Sequence, residues 1–318
     1  MFKNTNQEEW LVIVNPNAGK RRGRKDWNKI SALLKKEELL FRVKFTERKG
    51  HAITIIREAI SAGFRKFITV GGDGTLNEVV NGVFTNDSCP TMDIVLALIP
   101  VGTGNDWGRM FGLSMDYEKA VKIISENKTL IHDVGLVSYY NGPDKKNRYF
   151  INIAGLGFES VVVRKTNAQK DKGRGGKLIY FFNLLTSLLS YRNAKAEIII
   201  DGKSVSSELF SINIGNGRYC GGGMRQTPEA IPDDGLLDVT VINEMGKFEI
   251  IRNLKILYDG TILSHPKING YKCKNVKVSS RDAVLYTEAD GESLGHAPAE
   301  FSIIPSCINI IYGTNSIR

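Results

Sequence analysis

The sequence predicts two domains: an α/β N-terminal domain with a parallel sheet, and a C-terminal domain that is mainly an antiparallel β-sandwich. Over the first 130 residues, short continuous apolar runs alternate with helical periodicity, the pattern of a parallel sheet covered on both faces. After about residue 132 the rhythm changes to strand-like runs, several joined by Asn141-Gly142, Asp201-Gly202 and Asp234-Gly235. Those dipeptides are the turn chemistry of antiparallel pairing. At 318 residues the chain is long enough for two medium-sized cores.

In order, Trp10, Leu11, Val12, Ile13 and Val14 form an apolar strand stopped by Asn15-Pro16. Trp27, Ile30, Leu33 and Leu34, spaced by three and four, predict a helix. Residues 41–45 read as a strand. Residues 52–62 read as a helix, with Ile53, Ile56 and Ile60 on one face and Gly63 as its stop. Residues 67–70 are a buried strand running into Gly71-Gly72-Asp73-Gly74, residues 76–83 are helical, and strand 94–99 is closed by Pro100-Val101-Gly102-Thr103-Gly104. Beyond the boundary, strands are predicted at 134–140, 149–153, 196–200, 209–214, 237–242, 276–280 and 283–287. Helical segments interrupt them at 174–191 and 247–258.

Composition narrows the function classes. Apolar residues make up 42% and charged residues 24%, as in globular proteins. No apolar run approaches the roughly 18 residues of a spanning helix. The polar start has no secretory h-region, and Cys89, Cys220, Cys273 and Cys307 form no CxxC pair. A reduced, cytoplasmic chain is expected, without a zinc knuckle or disulfide framework. The net charge of +9 points to an anionic partner. Lys20, Arg21, Arg22, Arg24 and Lys25 form one cationic run; Arg164, Lys165, Lys170, Lys172, Arg174 and Lys177 form another, against Asp171 alone. Either run is a solvated face or an anion site. Neither interleaves aromatics, so no nucleic-acid partner is expected. The oligomeric state, a homodimer included, leaves no signature.

Three glycine-rich turns follow N-terminal strands: Asn15-Pro16-Asn17-Ala18-Gly19, Gly71-Gly72-Asp73-Gly74-Thr75-Leu76-Asn77 and Gly102-Thr103-Gly104-Asn105-Asp106. In an open parallel sheet, ligands bind at that edge. Glycine lets backbone N–H groups close on a phosphate, and a helix beginning after the turn adds its positive end. Asp73, between glycines and with no neighbour to bury against, either handles Mg²⁺ or a proton in phosphoryl transfer or closes an Asp-Gly turn. GxxxxGK[ST], HRD, DFG and GxGxxG are all missing. The four histidines form no ligand spacing, and Asp106 with Arg109 reads as an ion pair ordering the third loop.

These turns, followed by Glu78, Arg109, Gly215-Asn216-Gly217, Gly221-Gly222-Gly223 and Asp233-Asp234-Gly235-Leu236-Leu237-Asp238-Val239, closely resemble the bacterial diacylglycerol kinase family. That family includes sphingosine and ceramide kinases and related soluble lipid kinases. The resemblance runs in order from about residue 10 to 295. GGDGT alone is shared with NAD kinases and is similar to the GGDG of phosphofructokinases; the C-terminal motifs distinguish the lipid kinases. The resemblance implies an NAD-kinase/phosphofructokinase-like N-terminal domain of residues 1–132 that 305–318 return to complete, and a lipid-substrate and metal-binding domain of residues 133–304. It implies ATP and Mg²⁺ as cofactors. Asn15, Pro16, Asn17, Ala18, Gly19, Thr46, Gly72, Asp73, Gly74, Thr75, Leu76, Asn77, Glu78 and Thr103 match nucleotide-binding segments. Asp73 and Asp233 match the acids of a water–magnesium network, and Glu292 in Asp290-Gly291-Glu292 matches the general base, with Glu288 its nearest rival. Asp234 with the carbonyls of Ile231 and Leu236 matches a structural Mg²⁺ site. Pro232, and Glu229 where an Asp is usual, depart from the pattern there.

The expected function is transfer of the γ-phosphate of MgATP to a lipid hydroxyl, diacylglycerol giving phosphatidic acid, at a site in the cleft between the domains. The alternatives are a soluble-substrate kinase of the NAD-kinase type and a silent lipid-binding regulator. Residues 178–191 (LIYFFNLLTSLLSY) follow the cationic stretch 170–177. They either dip into an anionic bilayer, associating the chain peripherally with the inner face of the membrane, or pack on the C-terminal sheet.

Overall fold

The computed structural model describes residues 8–170 and 177–313. The chain divides into two compact units: Met1–Asp133 with Ser306–Arg318, and Val134–Pro305.

In the first unit, β1 (Trp10–Val14), α1 (Ala18–Lys25), α2 (Trp27–Lys36), β2 (Phe41–Phe45), α3 (His51–Ser61), β3 (Lys66–Gly71), α4 (Asp73–Phe84), β4 (Val95–Pro100), α5 (Asp106–Met110) and α6 (Tyr117–Ser125) follow one another. The strands are parallel, in the order β4, β3, β1, β2. Asn309 and Ile310 add a further parallel pairing beside β4. Val14 lies opposite both Phe45 and Val70, and Gly71 lies opposite Pro100, so the carboxyl ends align. The strand order reverses between β1 and β3, the place where open α/β sheets bind ligands.

Two differences from the sequence expectation here have a plain local cause. The helix expected at 76–83 opens at Asp73, because Gly72 is already extended and its carbonyl accepts the Thr75 and Leu76 N–H groups. Helix α6 was not foreseen, although Asp116 accepts the Glu118 N–H as its cap and Tyr117, Ala120, Val121 and Ile124 line its buried face.

The second unit begins within β5 (Thr129–Asn141) and continues with β6 (Asp144–Phe150), β7 (Ile153–Gly157), α7 (Phe158–Lys170), α8 (Lys177–Ser190), β8 (Ala194–Ile200), β9 (Lys203–Gly215), β10 (Tyr219–Cys220), β11 (Met224–Arg225), β12 (Leu237–Asn243), α9 (Lys247–Arg252), α10 (Leu254–Asp259), β13 (Ile268–Cys273), β14 (Asn275–Ser280), β15 (Tyr286–Ala289) and β16 (Glu292–Ile311). Within the unit the pairings between separate strands are antiparallel. The long strands serve two layers. The first half of β9 pairs with β8 and its second half with β7 and β12. Likewise β16 pairs with β15 near its start and with β14 farther on. Strands that change layer in this way enclose a sandwich core. Phe150, Leu156, Ile198, Ile212, Val276 and Phe301 are among the residues buried in it.

The strand expected at 149–153 is split, since Ile151 and Asn152 are drawn aside by Asp290. Helix α7 occupies a stretch from which no element was predicted. Phe158 and Val162 bury against Leu184, Leu188 and Phe210, so packing overrides the strand preference of Val161-Val162-Val163. The segment expected at 247–258 is two short helices. That expected at 174–191 is helical over Lys177–Ser190, and residues 171–176, with Lys172 and Arg174, lie outside the described residues.

Candidate active site

In the first unit the three loops are held together by backbone contact. A Cβ on Gly19 would lie 1.7 Å from the Val101 carbonyl oxygen, and one on Gly102 would lie 2.7 Å from the Gly72 Cα. Glycine at these places is therefore what lets the three loops touch. Asn15 ties two of them together: its amide donates to Thr75 Oγ1 at 2.9 Å, while its Oδ1 accepts the Asn17 N–H at 3.0 Å. Gly19, Lys20 and Arg21 all take left-handed backbone angles inside α1. For the two basic residues that conformation is strained, and such strain persists where surrounding structure enforces it. The result is a reversed turn bearing two exposed cations just past β1. That turn and the start of α4 are both electropositive, which suits a phosphate chain. Arg22 does other work, donating to Tyr117 OH at 2.8 Å and to Asp26 at 3.3 Å.

Asp73 is anchored, contrary to its unsupported look in the sequence. Its two oxygens accept the Asp106 and Trp107 N–H groups, each at 3.2 Å, at the start of α5. Burial pushes its carboxyl above the usual carboxylate range, against those N–H donors, which pull it down. Arg109 Nε stands 3.8 Å from Asp106 Oδ1, so the third loop does carry the pair read from sequence.

Several matched positions contribute indirectly. Leu76 and Asn77 are fully buried, so their part is to hold α4 in place. Glu78 accepts the N–H groups of Gly50 at 2.7 Å and Ala52 at 3.2 Å, closing the start of α3. Thr46 is buried with its N–H on the Val14 carbonyl, whereas Pro16, Asn17, Ala18, Gly74 and Thr103 keep exposed or half-buried surface along the loops.

The second unit holds acids of its own. Ala289 pairs with Glu292 across a two-residue turn in which Asp290 and Gly291 both have positive φ, as a tight hairpin requires. Asp290 fixes this turn by accepting the N–H groups of Ile151, Asn152 and Ile153 at 3.0, 3.0 and 3.2 Å. Glu292 is thus half-buried on a rigid mount. Glu288 differs. It is 4% exposed and accepts the Gly291 N–H at 3.0 Å. Burial foremost, then the nearby Glu159 charge, pushes its carboxyl well above the ordinary range. Glu159, itself buried, accepts from the Cys220 thiol at 3.2 Å and from the Gln226 amide. The sequence reading missed Glu159 and Gln226; the signal available was an acid set immediately after a glycine-rich strand end, Gly155-Leu156-Gly157-Phe158-Glu159.

Around Asp233 and Asp234 the structure adds a residue that no motif indicated. Lys272 Nζ lies 3.3 Å from Asp234 Oδ2, 3.2 Å from Asp238 Oδ2 and 3.4 Å from the Glu229 carbonyl. Asp234 Oδ1 accepts the Leu236 N–H at 3.0 Å. Burial raises the Asp238 carboxyl to about 6 even with Lys272 beside it. Asp233 is exposed. Among the described residues, no group of three or more His, Cys, Asp or Glu side chains is arranged to hold a metal ion.

Comparison with known proteins matches both units. Residues 9–137 match the diacylglycerol kinase catalytic domain, and residues 152–312 match the YegS C-terminal NAD kinase beta sandwich-like domain. The diacylglycerol kinase of Staphylococcus carnosus is 29% identical over 91% of this chain and 90% of its own length. That of Mycobacterium tuberculosis is 28% identical over 81% and 80%. A solved Bacillus anthracis structure described as a diacylglycerol kinase superposes with a TM-score of 0.73 at 23% identity, covering 99% of this chain and 100% of that one. Yeast NADH kinase shares the fold more distantly, with a TM-score of 0.54 at 12% identity over 97% and 84%. With the catalytic domain and its sandwich partner matched in order along the chain, this protein belongs to the diacylglycerol kinase family and is a lipid kinase.

Proposed function

We propose that this kinase transfers the γ-phosphoryl group of ATP to the hydroxyl of diacylglycerol, forming phosphatidic acid. The observation that carries the reading is the interlocked set of three loops at the carboxyl edge of the parallel sheet, with the Asp73 carboxylate fixed among them. The relatives named diacylglycerol kinase support the acceptor. In this reading the Asn15–Gly19 turn, the start of α4 and Thr103 bind the triphosphate, with Lys20 and Arg21 balancing its charge. Mg²⁺ bound with ATP would neutralise the phosphate oxygens, and Asp73 is the acid of the first unit that would hold it. Glu292 takes the proton of the attacking hydroxyl. The test is transfer of label from [γ-³²P]ATP to lipids in mixed micelles, with diacylglycerol, phosphatidylglycerol, sphingosine, ceramide and NAD⁺ compared. Labelled phosphatidic acid is expected. Label on NAD⁺, or on another lipid alone, overturns the assignment of the acceptor.

Such an acceptor lies in a bilayer, and no helix among the described residues is long and apolar enough to cross one. We infer peripheral binding to the cytoplasmic face of the membrane through α8 and α9. Phe182 and Leu189 share a stripe of α8 and are 64% and 69% exposed; Phe248 on α9 is 83% exposed. Lys247 donates to the Leu189 carbonyl, bringing the two helices together. Arg192, Arg252 and Lys255 stand exposed on the same or adjoining segments. Apolar side chains beside cations suit an anionic interface. The double variant Leu189→Glu with Phe248→Glu is expected to lower binding to phosphatidylglycerol-rich vesicles about tenfold or more, read by co-sedimentation. Unchanged binding would place the docking surface elsewhere.

A further inference from the structure

The family resemblance puts a structural Mg²⁺ at Asp234 and the carbonyls of Ile231 and Leu236. The residues present do not fit that ion. Magnesium needs near-octahedral oxygen ligands and gives up its waters reluctantly. Here one Asp234 oxygen is taken by the Leu236 N–H, and the other faces the Lys272 ammonium at 3.3 Å. The same ammonium reaches Asp238 at 3.2 Å and the Glu229 carbonyl at 3.4 Å. Three oxygens from three residues therefore converge on one cation, matching the three N–H donors of a lysine. Lys272 comes from β13, which pairs with β12 in the register Asp238↔Lys272. Its Cα is thus fixed by the sheet directly opposite Asp238, and the side chain is aimed along the strand ends toward the 229–236 loop.

We propose that the Lys272 ammonium, in place of a divalent cation, closes the Asp233–Asp234 loop, so that this chain folds its second unit without structural magnesium. The loop that presents Asp233 is then positioned by a residue of the chain itself. Lys272 is a positioning residue; it touches no reacting atom. The inference stands apart from the choice of lipid acceptor, and its test reads stability alone.

The test is thermal unfolding of the full chain, without nucleotide, in EDTA and in MgCl₂. Wild-type Tm is expected to agree within about 1 °C between the two. Lys272→Met is expected to melt about 2–4 °C lower in EDTA, since it leaves two carboxylates without their counter-charge. Added Mg²⁺ should restore part of that loss in Lys272→Met, because the vacated oxygens then attract it. Lys272→Arg, which keeps a cation on β13, should lose less than Lys272→Met. A wild-type Tm that climbs by several degrees in Mg²⁺, with the rise lost in Asp234→Asn, overturns the proposal. So does a Lys272→Met chain that melts in EDTA like wild type. Should Lys272→Met fail to fold, the wild-type and Asp234→Asn melts still decide the matter.

Discussion

Asp73→Asn is expected to lower lipid phosphorylation by roughly 10³-fold or more, the scale on which preorganised charge acts in phosphoryl transfer. The substitution keeps the shape of the side chain and removes its charge. One asparagine oxygen still accepts an N–H at the start of α5, while the amide faces the other donor that Asp73 now satisfies. That mismatch costs about 1 kcal/mol, too little to unfold the unit. A thermal melt within a few degrees of wild type should therefore accompany the loss of turnover. Turnover at half the wild-type value, with the melt unchanged, would confine Asp73 to bracing the third loop.

Glu292→Gln is expected to cost about 10²–10⁴-fold in turnover, the range of a lost general base. Glu288→Gln, four residues earlier, should keep turnover within about tenfold, and the contrast is the informative part. Glu288 is buried beside Glu159 with its carboxyl held well above the ordinary range. That shift favours the protonated form, which cannot accept the proton of a hydroxyl. Glutamine imitates that protonated form. The sign for stability follows. A folded-state pKa above the unfolded value contributes stability that is complete below the unfolded value and is lost as pH rises through the folded one. Wild type should thus lose stability relative to Glu288→Gln as pH rises above the ordinary carboxylate range, as urea melts across the range would show. A larger loss of turnover in Glu288→Gln than in Glu292→Gln would exchange the two roles.

Legibility varied with how local the signal was. Strand β1 has the limits that its apolar run predicts, because a continuous run stopped by Asn15-Pro16 leaves little choice. The loops were legible for a related reason: glycines and an aspartate at strand ends have few other uses. Helix α7 was hidden because Val161-Val162-Val163 prefers strands and only contact with α8 and β9 makes the helix worthwhile. Glu78 and Asp290 lie within motifs, yet their partners are 26 or more residues away, the Gly50 and Ala52 N–H groups for one and the Ile151–Ile153 N–H groups for the other. No spacing rule reveals such a bond.

The sequence alone determined the α/β and antiparallel classes, the three loops with Asp73, and the lipid-kinase motifs of the second half. These depend on residue type and on neighbours a few positions apart. Only the tertiary structure decided that Asp73 caps α5, that Glu288 sits with Glu159 in a buried pair, and that Lys272 faces Asp234. Each depends on strands pairing at a particular register. Register is set by the burial of whole faces, so it becomes visible only once the chain has packed.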